Sequence, residues 1–198
     1  ISAATPLLLM KTGSTIAGLK RGGEDFEDWF QQGLALPDTH YQVVNVEQGE
    51  ALPAVAQTGA VVITGSPAYV TDLAGWNFVS ADFLRAAVGR GIPVLGICYG
   101  HQLLAWTFAG EVGFNPGGRA IGTVQVSRTD YSASDPLLQG LPNSFTVNLS
   151  HLQSVRRLPE GAVPLLSTDY DANHGFRLGS LCWGLQFHPE FDGRITRA

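Results

Sequence analysis

A cysteine between two glycines is the residue of this chain with the clearest potential for covalent chemistry. Cys98 lies in the segment Gly96-Ile97-Cys98-Tyr99-Gly100, after an apolar run and before a helical pattern. This G-x-C-x-G spacing has the form of G-x-S-x-G, with which hydrolases hold a nucleophile on a sharp turn between a strand and a helix. Amides at the start of the helix would stabilise a thiolate, which attacks carbonyl carbon. Cys98 is therefore the candidate nucleophile, whereas Cys182, inside another apolar run, is expected to be a core thiol.

A histidine followed closely by a carboxylate supplies the second chemical group. His188 and Glu190 belong to Gln186-Phe187-His188-Pro189-Glu190, which ends the last apolar run of the chain. Residues two apart in an extended segment point to the same side, so the ring and the carboxylate can form a hydrogen bond. A carboxylate on one ring nitrogen orients the imidazole and leaves the other nitrogen to exchange a proton with Cys98. The two segments together predict a Cys98-His188-Glu190 triad.

Attack on an amide carbonyl also requires donors for the oxygen that becomes negative. The segment Thr64-Gly65-Ser66-Pro67 follows a predicted strand and can direct a backbone amide into the same cleft. Pro67 has no amide hydrogen, which makes Ser66 the better candidate. The amide of Tyr99, next to the nucleophile, is the second predicted donor.

The remaining histidines are interpreted as structural or as shaping the site. His101 lies three residues after Cys98 on the predicted helix, a spacing that favours packing. His151 is assigned to a loop that shapes the substrate site, and His40 and His174 to polar turns. With two cysteines, five histidines and no CxxC or HxxxH spacing, we predict no metal site. No nucleotide-binding glycine motif occurs, so no cofactor is expected.

Short apolar runs alternate with helical patterns in the first half of the chain. Because the runs are continuously apolar, they are typical of strands covered on both faces. The alternation predicts an α/β fold with a mostly parallel twisted sheet and helices on both faces. Shorter strands after residue 110 are expected to be antiparallel additions. The predicted helices are 24–36 and 76–88, and a turn is predicted at 113–122. The predicted strands are 7–10, 43–46, 60–63, 93–97, 123–127, 145–149, 163–166 and 181–187.

Composition and charge narrow the class of protein further. The chain of 198 residues is 44% hydrophobic and only 15% charged, which excludes general disorder and fits one domain over residues 1–198. The net charge of −5 and the absence of a basic stripe argue against nucleic acid as a partner. No apolar stretch approaches the ~20 residues of a membrane span, and no signal peptide opens the chain. These features favour a soluble, cytoplasmic protein.

With these motifs, the chain resembles the class I (triad) glutamine amidotransferases. The cysteine segment 96–102 and the histidine segment 186–191 carry the resemblance, and residues 150–155 resemble stand-alone members similar to the glutaminase domain of GMP synthetase. The resemblance implies a flavodoxin-like fold, and Ser66 and Tyr99 amides as the oxyanion hole. It also implies substrate-binding roles for the residues Gly65, Gln102, Leu152 and Gln153.

The function implied by this resemblance is hydrolysis of glutamine through a γ-glutamyl thioester on Cys98. The released ammonia would pass to a synthetase partner or another acceptor, and no cofactor is implied. A γ-glutamyl peptidase or hydrolase acting on other γ-glutamyl amides is the alternative, and a non-catalytic binding subunit is a third hypothesis. The chain departs from the family pattern at two places. It has Gly65-Ser66-Pro67 where relatives often have Gly-Gly-Pro, and it lacks the helix that usually follows the histidine segment, which is consistent with an incomplete C-terminal end.

Overall fold

The computed structural model describes residues 5–20, 23–35, 40–193 and 195–197. Within them lie eleven strands and three α-helices; strands and helices alternate in the first half of the chain, and strands predominate in the second. The strands are β1 Leu7–Lys11, β2 Tyr41–Asn45, β3 Ala60–Ile63, β4 Val94–Ile97, β5 Glu111–Phe114, β6 Ala120–Arg128, β7 Ser144–His151, β8 Gln153–Arg157, β9 Ala162–Ser167, β10 Gly175–Leu178 and β11 Cys182–Leu185; the α-helices are α1 Phe26–Leu34, α2 Gly75–Gly89 and α3 Tyr99–Thr107.

Nine of these strands form one sheet in the order β2-β1-β3-β4-β11-β10-β9-β6-β7. The strands from β2 to β11 pair in parallel, and those from β11 to β7 pair antiparallel. Strands β5 and β8 pair separately. The parallel half confirms the predicted α/β class. Because β11 is parallel to β4, the carboxyl ends of these two strands lie side by side.

Residues of the central strands alternate between two hydrophobic cores on opposite faces of the sheet. Leu8 and Met10 of β1 pack in the core that contains residues of α2 and α3. Leu9 packs in the other core with Phe30 of α1 and with residues of the antiparallel strands. Successive side chains of a strand point to opposite faces, which explains this division. Helices therefore cover both faces of the sheet, as the continuous apolar runs predict.

Helix α1 begins at a strong cap beside the end of β1. The Asp25 carboxylate accepts the Phe26 amide at 2.9 Å and the Thr15 amide at 2.7 Å, and it contacts Lys11 Nζ at 3.0 Å. Burial raises the pKa of Asp25, but these donors outweigh it and hold the pKa below its usual range. The helix ends where Ala35 adopts a left-handed conformation, with φ of 49°. The predicted end at Leu36 lies outside the described residues.

The second half of the chain departs most from the pattern-based expectations. The apolar patterns do not predict strands β5, β8 and β10, and β5 and the start of β6 occupy the ends of the predicted turn at 113–122. The last predicted strand, 181–187, is shorter, at Cys182–Leu185. Cys182 is 1% exposed in a core, and burial raises the pKa of its thiol to about 12. No α-helix in the described part of the chain is long and apolar enough to span a membrane.

Candidate active site

The candidate nucleophile lies on a strained turn between β4 and α3. Cys98 has φ of 53° and ψ of −100°, a conformation that non-glycine residues rarely adopt. A Cβ atom on Gly96 would lie 2.4 Å from the carbonyl oxygen of Gly100, and one on Gly100 would lie 2.7 Å from that of Ile63. Only glycines allow the strand and the helix to approach this closely. The G-x-C-x-G segment therefore forms the sharp turn that its spacing predicts.

The backbone of Cys98 is fixed to the neighbouring strand β11. Its amide donates to the carbonyl of Leu185 at 2.8 Å. The side chain is buried, and Sγ lies 3.9 Å from the carbonyl oxygen of Ser150. Leu185 is only three residues before His188, so the pairing of β4 with β11 brings the thiol and the imidazole together.

The His188 ring is held by a carboxylate and by an aromatic ring. Its Nδ1 lies 2.6 Å from Oε1 of Glu190, and the side chains of both residues are buried. The ring of Phe191 stacks on it with centroids 4.0 Å apart. Burial alone would lower the pKa of His188. The Glu190 carboxylate, together with the charge and hydrogen bond of Cys98, instead raises it to about 10.

Gly65 lies against the imidazole, at a distance that excludes any side chain. A Cβ atom at this position would be 2.9 Å from Cε1 of His188 and 3.8 Å from Cβ of Cys98. The first of these distances is shorter than ordinary carbon–carbon contacts. The absence of a side chain at residue 65 thus allows the ring to approach the thiol.

Replacing Gly65 by alanine is expected to reduce kcat/KM for the reaction at Cys98 by about 10²-fold, because the added methyl group displaces the imidazole. Steady-state kinetics on the purified variant measures this loss. Gly75→Ala is the matched control, since a Cβ there meets nothing within 4 Å, and it should retain normal activity. Equal activity of the two variants would contradict the positional role of Gly65.

The two residues predicted to supply oxyanion donors line a cavity of about 450 Å³. Ser66 and Tyr99 both line it, together with Cys98 and His188. The Ser66 hydroxyl accepts the Ala68 amide at 3.1 Å. The Tyr99 hydroxyl donates to Asn77 Oδ1 at 2.6 Å, and burial raises its pKa. The phenol is thus engaged away from the thiol, and the backbone amide is the part of Tyr99 suited to the site.

Three predicted substrate-binding residues also line this cavity: Gln102, Leu152 and Gln153. Gln102 Nε2 donates to the carbonyl of Gln153 at 2.7 Å and to Oε1 of Gln186 at 3.0 Å. A side-chain amide has two hydrogens, so both are used within the protein. The side-chain oxygen of Gln102 is therefore the atom of this residue that is suited to bind a ligand. The fourth predicted substrate-binding residue, Gly65, lies against the His188 ring instead.

Three histidines are buried close to the site. His101 is fully buried, with its ring 5.0 Å from that of Phe176, and burial lowers its pKa to about 3. His151 ends β7 and lines the cavity, with Nδ1 2.8 Å from the carbonyl of Gln153; burial lowers its pKa to about 4. His174, expected in a polar turn, lies in a bend but is also fully buried, 3.2 Å from Asp171 Oδ2.

The lowered pKa values of the buried histidines His101 and His151 predict that the folded protein is sensitive to acid. Below pH 6.5 the unfolded chain protonates His101 and His151, whereas the folded chain does so only near pH 3 to 4. The free energy of unfolding should therefore fall with decreasing pH, by about 1.4 kcal/mol per pH unit for each histidine. We expect His101→Gln to halve this slope in urea titrations between pH 6.5 and 4. His40→Gln, at an exposed position, is the control, and a slope unchanged by His101→Gln would refute the assignment.

Among the described residues, no three His, Cys, Asp or Glu side chains lie close enough together to hold a metal ion. The groups that the site brings together are the Cys98 thiol, the His188 imidazole and the Glu190 carboxylate.

Comparison with known proteins identifies the family. The family model for glutamine amidotransferase class-I matches residues 24–197. The chain belongs to the class I glutamine amidotransferases. It is 39% identical to the glutamine-hydrolyzing GMP synthase of Aeropyrum pernix over 142 residues, 72% of this chain and 25% of that protein. It is 36% identical to one subunit of the glutamine-hydrolyzing GMP synthase of Archaeoglobus fulgidus over 100 residues, 50% of this chain and 52% of that polypeptide.

Solved structures agree with the class I amidotransferase fold. A glutamine amidotransferase from Methylobacillus flagellatus superimposes with a TM-score of 0.81 at 25% identity, covering 98% of this chain and 74% of that one. The chain spans only about a quarter of the length of most of the curated relatives described as GMP synthases. The comparisons therefore identify the chain as an amidotransferase unit. The reaction for which the longer relatives are named is that of the whole proteins.

Proposed function

We propose that the protein hydrolyses the side-chain amide of glutamine, with Cys98 as nucleophile, His188 as proton carrier and Glu190 as the group that orients it. The observation that carries the proposal is the hydrogen-bonded arrangement itself. Cys98 lies on a strained turn beside His188, whose Nδ1 is 2.6 Å from the Glu190 carboxylate. A thiol and an imidazole in contact form the nucleophile of many acyl-transfer enzymes.

Acylation begins when the Cys98 thiolate attacks the γ-carbonyl carbon of glutamine. A carbon–sulfur bond forms, and the carbonyl oxygen becomes negative and accepts hydrogen bonds from the Ser66 and Tyr99 amides. The bond from His188 Nδ1 to Glu190 leaves Nε2 to face the reaction. The imidazolium gives its proton to the amide nitrogen, the carbon–nitrogen bond breaks, and ammonia leaves a γ-glutamyl thioester.

Deacylation reverses the role of the histidine. Neutral His188 removes a proton from water, and the resulting hydroxide attacks the thioester carbon. The carbon–sulfur bond then breaks, glutamate leaves, and the thiolate–imidazolium pair is restored. The raised pKa of His188 favours this charged pair at neutral pH.

The decisive experiment incubates the purified chain with glutamine and measures glutamate and ammonia, with mass spectrometry of the acid-quenched protein. We expect equal release of both products and a γ-glutamyl adduct on the peptide that contains Cys98. Cys98→Ala is the control and should form neither product. If the wild type is as inactive as this variant on glutamine and on other γ-glutamyl amides, the proposal fails and a non-catalytic binding subunit becomes the better hypothesis.

One feature of the cavity favours a γ-glutamyl peptidase or hydrolase as a second candidate. The cavity wall includes the apolar side chains Leu19, Phe26 and Ile195, which cluster with Phe191, the residue whose ring stacks on His188. The leaving amine must lie next to His188, which protonates it, so this wall would contact an apolar substituent on the amide nitrogen. A higher kcat/KM for γ-glutamyl-phenylalanine than for glutamine would establish this candidate; the reverse order favours glutamine.

The acceptor of the ammonia is the remaining part of the proposed function. We infer that a separate synthetase protein receives it, because the relative from Archaeoglobus fulgidus is described as a subunit of a glutamine-hydrolyzing synthase. Affinity purification of the tagged chain, followed by an assay for glutamine-dependent amination, tests this inference. Failure of the chain to recover any amide-forming enzyme would count against it.

A further inference from the structure

The peptide unit between Gly65 and Ser66 is anchored on one side by two buried threonine hydroxyls. The carbonyl oxygen of Gly65 lies 3.1 Å from Oγ1 of Thr12 and 3.0 Å from Oγ1 of Thr64. Both threonines are completely buried. Thr12 follows β1, whereas residues 64–66 follow β3, so the contact joins two strands that are 52 residues apart in the chain.

The hydroxyl hydrogens of Thr12 and Thr64 are sufficient for hydrogen bonds to the nearby carbonyl oxygens. The Thr12 amide donates to Thr64 Oγ1 at 3.1 Å, which turns the hydroxyl hydrogen of Thr64 away from Thr12 and leaves Gly65 O within its reach. The Thr12 hydroxyl lies 3.0 Å from Thr64 O and 3.1 Å from Gly65 O, and its one hydrogen can bond either oxygen. The Thr64 hydroxyl hydrogen thus bonds the Gly65 carbonyl, and the Thr12 hydrogen bonds that carbonyl or the preceding one. Rotation of the Gly65–Ser66 peptide would therefore break at least one buried hydrogen bond.

The direction of the Ser66 amide follows from peptide geometry. In a planar trans peptide, the N–H points opposite to the C=O. The sheet order places β3 between β1 and β4. Because the Gly65 carbonyl points toward the residue that follows β1, the Ser66 N–H points toward the end of β4, where Cys98 lies. Ser66 and Cys98 line the same cavity, which agrees with this direction.

We propose that Thr12 and Thr64 are positioning residues that hold the Ser66 amide as a preformed oxyanion donor. This inference rests on the proposed reaction at Cys98. Neither threonine lines the cavity, so both act through the peptide rather than on the substrate. The hydroxyls provide in advance the orientation that a mobile Gly-Ser peptide would otherwise have to adopt in each turnover.

The test compares three variants in the full chain. Thr12→Val removes the hydroxyl without changing the shape of the side chain, Thr12→Ser restores it, and Thr107→Val is the matched control. Thr107 is buried, and its hydroxyl has no partner among the described residues. We expect Thr12→Val to lower kcat for glutamine by about 10- to 100-fold with KM within about threefold. Thr12→Ser should recover most of this loss, and Thr107→Val should cause none.

Alkylation of Cys98 by iodoacetamide separates a positioning role from a collapsed site, because substitution at the iodinated carbon forms no oxyanion. The alkylation rate of Thr12→Val should equal that of the wild type. The proposal is overturned if this rate falls in parallel with kcat, if Thr12→Val is as active as Thr107→Val, or if Thr12→Ser is as impaired as Thr12→Val. Thr64→Val is the second variant should Thr12→Val not fold, and the same pattern is expected of it.

A readout without substrate distinguishes failure of this inference from failure of the proposed function. Relaxation-dispersion NMR of the Ser66 amide reports microsecond-to-millisecond motion of the peptide. We expect exchange at Ser66 in Thr12→Val and none in the wild type or in Thr107→Val. If the wild type hydrolyses no γ-glutamyl amide, this measurement still decides whether the threonines hold the peptide. A Ser66 amide equally rigid in Thr12→Val overturns the inference.

Discussion

Replacement of Cys98 by serine should lower kcat/KM for glutamine by about 10⁴-fold or more, while the fold is retained. A serine hydroxyl is a weaker nucleophile than a thiol sulfur and must lose its proton during attack. The imidazole of His188 is a poor acceptor for that proton when its raised pKa keeps it protonated at neutral pH. The small change in size at a side chain that is 5% exposed should leave the packing intact. Steady-state glutamate release, compared with the circular dichroism spectrum, measures both expectations.

Cys182 provides the control for this experiment. It is equally a free, buried cysteine, but it lies in the hydrophobic core and not on the turn. Cys182→Ala should lose stability because a buried sulfur is removed, and kcat/KM should stay within about threefold of the wild type while the protein is folded. Substantial activity of Cys98→Ser, or inactivity of folded Cys182→Ala, would show that the nucleophile has been wrongly identified.

Replacement of Glu190 by glutamine should lower kcat/KM by about 10³-fold. Glutamine has nearly the same shape but carries no charge, and its NH₂ group can face Nδ1 of His188 and select the wrong tautomer. The carboxylate is also a main cause of the raised pKa of His188, so that pKa should fall from about 10 toward 6.5. NMR titration of the His188 ring in both proteins measures this shift.

The raised pKa of His188 also makes the free energy of unfolding depend on pH. In the wild type, the folded state keeps the His188 proton between pH 6.5 and 10, whereas the unfolded state loses it near pH 6.5. This contribution to stability is complete below pH 6.5 and is lost as the pH rises toward 10. The stability difference between wild type and Glu190→Gln should therefore shrink from pH 7 to 10. Glu160→Gln, on the surface, is the control, and a Glu190→Gln variant within about tenfold of wild-type kcat/KM would argue against the orienting role.

The parts of the fold and site that can be predicted from the sequence are those with local signals. Continuous apolar runs predict β1, β3 and β4 closely, and two glycines at fixed spacing predict the turn at Cys98. The predicted helix 24–36 places the start of α1 within two residues of its position at Phe26. The proximity of Cys98 to His188 has no local signal, because the pairing of β4 with β11 joins segments about 90 residues apart. It could be expected only from the chemistry that the two segments would perform together and from the resemblance of both motifs.

The strands and side-chain positions that the sequence patterns do not predict depend on contacts between distant segments. Strand β8 contains two arginines and β10 is four residues long, so neither has a strong apolar pattern, and each exists because it pairs with a neighbour. The burial of His174 depends on its packing against the distant rings of His151 and Phe187. The position of Thr12 likewise depends on a distant contact, since its hydroxyl lies near Gly65 only because β1 pairs with β3. Nothing in the residues next to Thr12 indicates this role.

The position of β11 in the sheet determines when the site can form during synthesis of the chain. This strand comes late in the chain, yet it inserts between β4 and β10 in the middle of the sheet. Until residues 182–188 have left the ribosome, Cys98 has neither the strand that binds its amide nor the imidazole of the proposed reaction. The proposed site can therefore form only after β11 has paired with β4, however early Cys98 itself is synthesised.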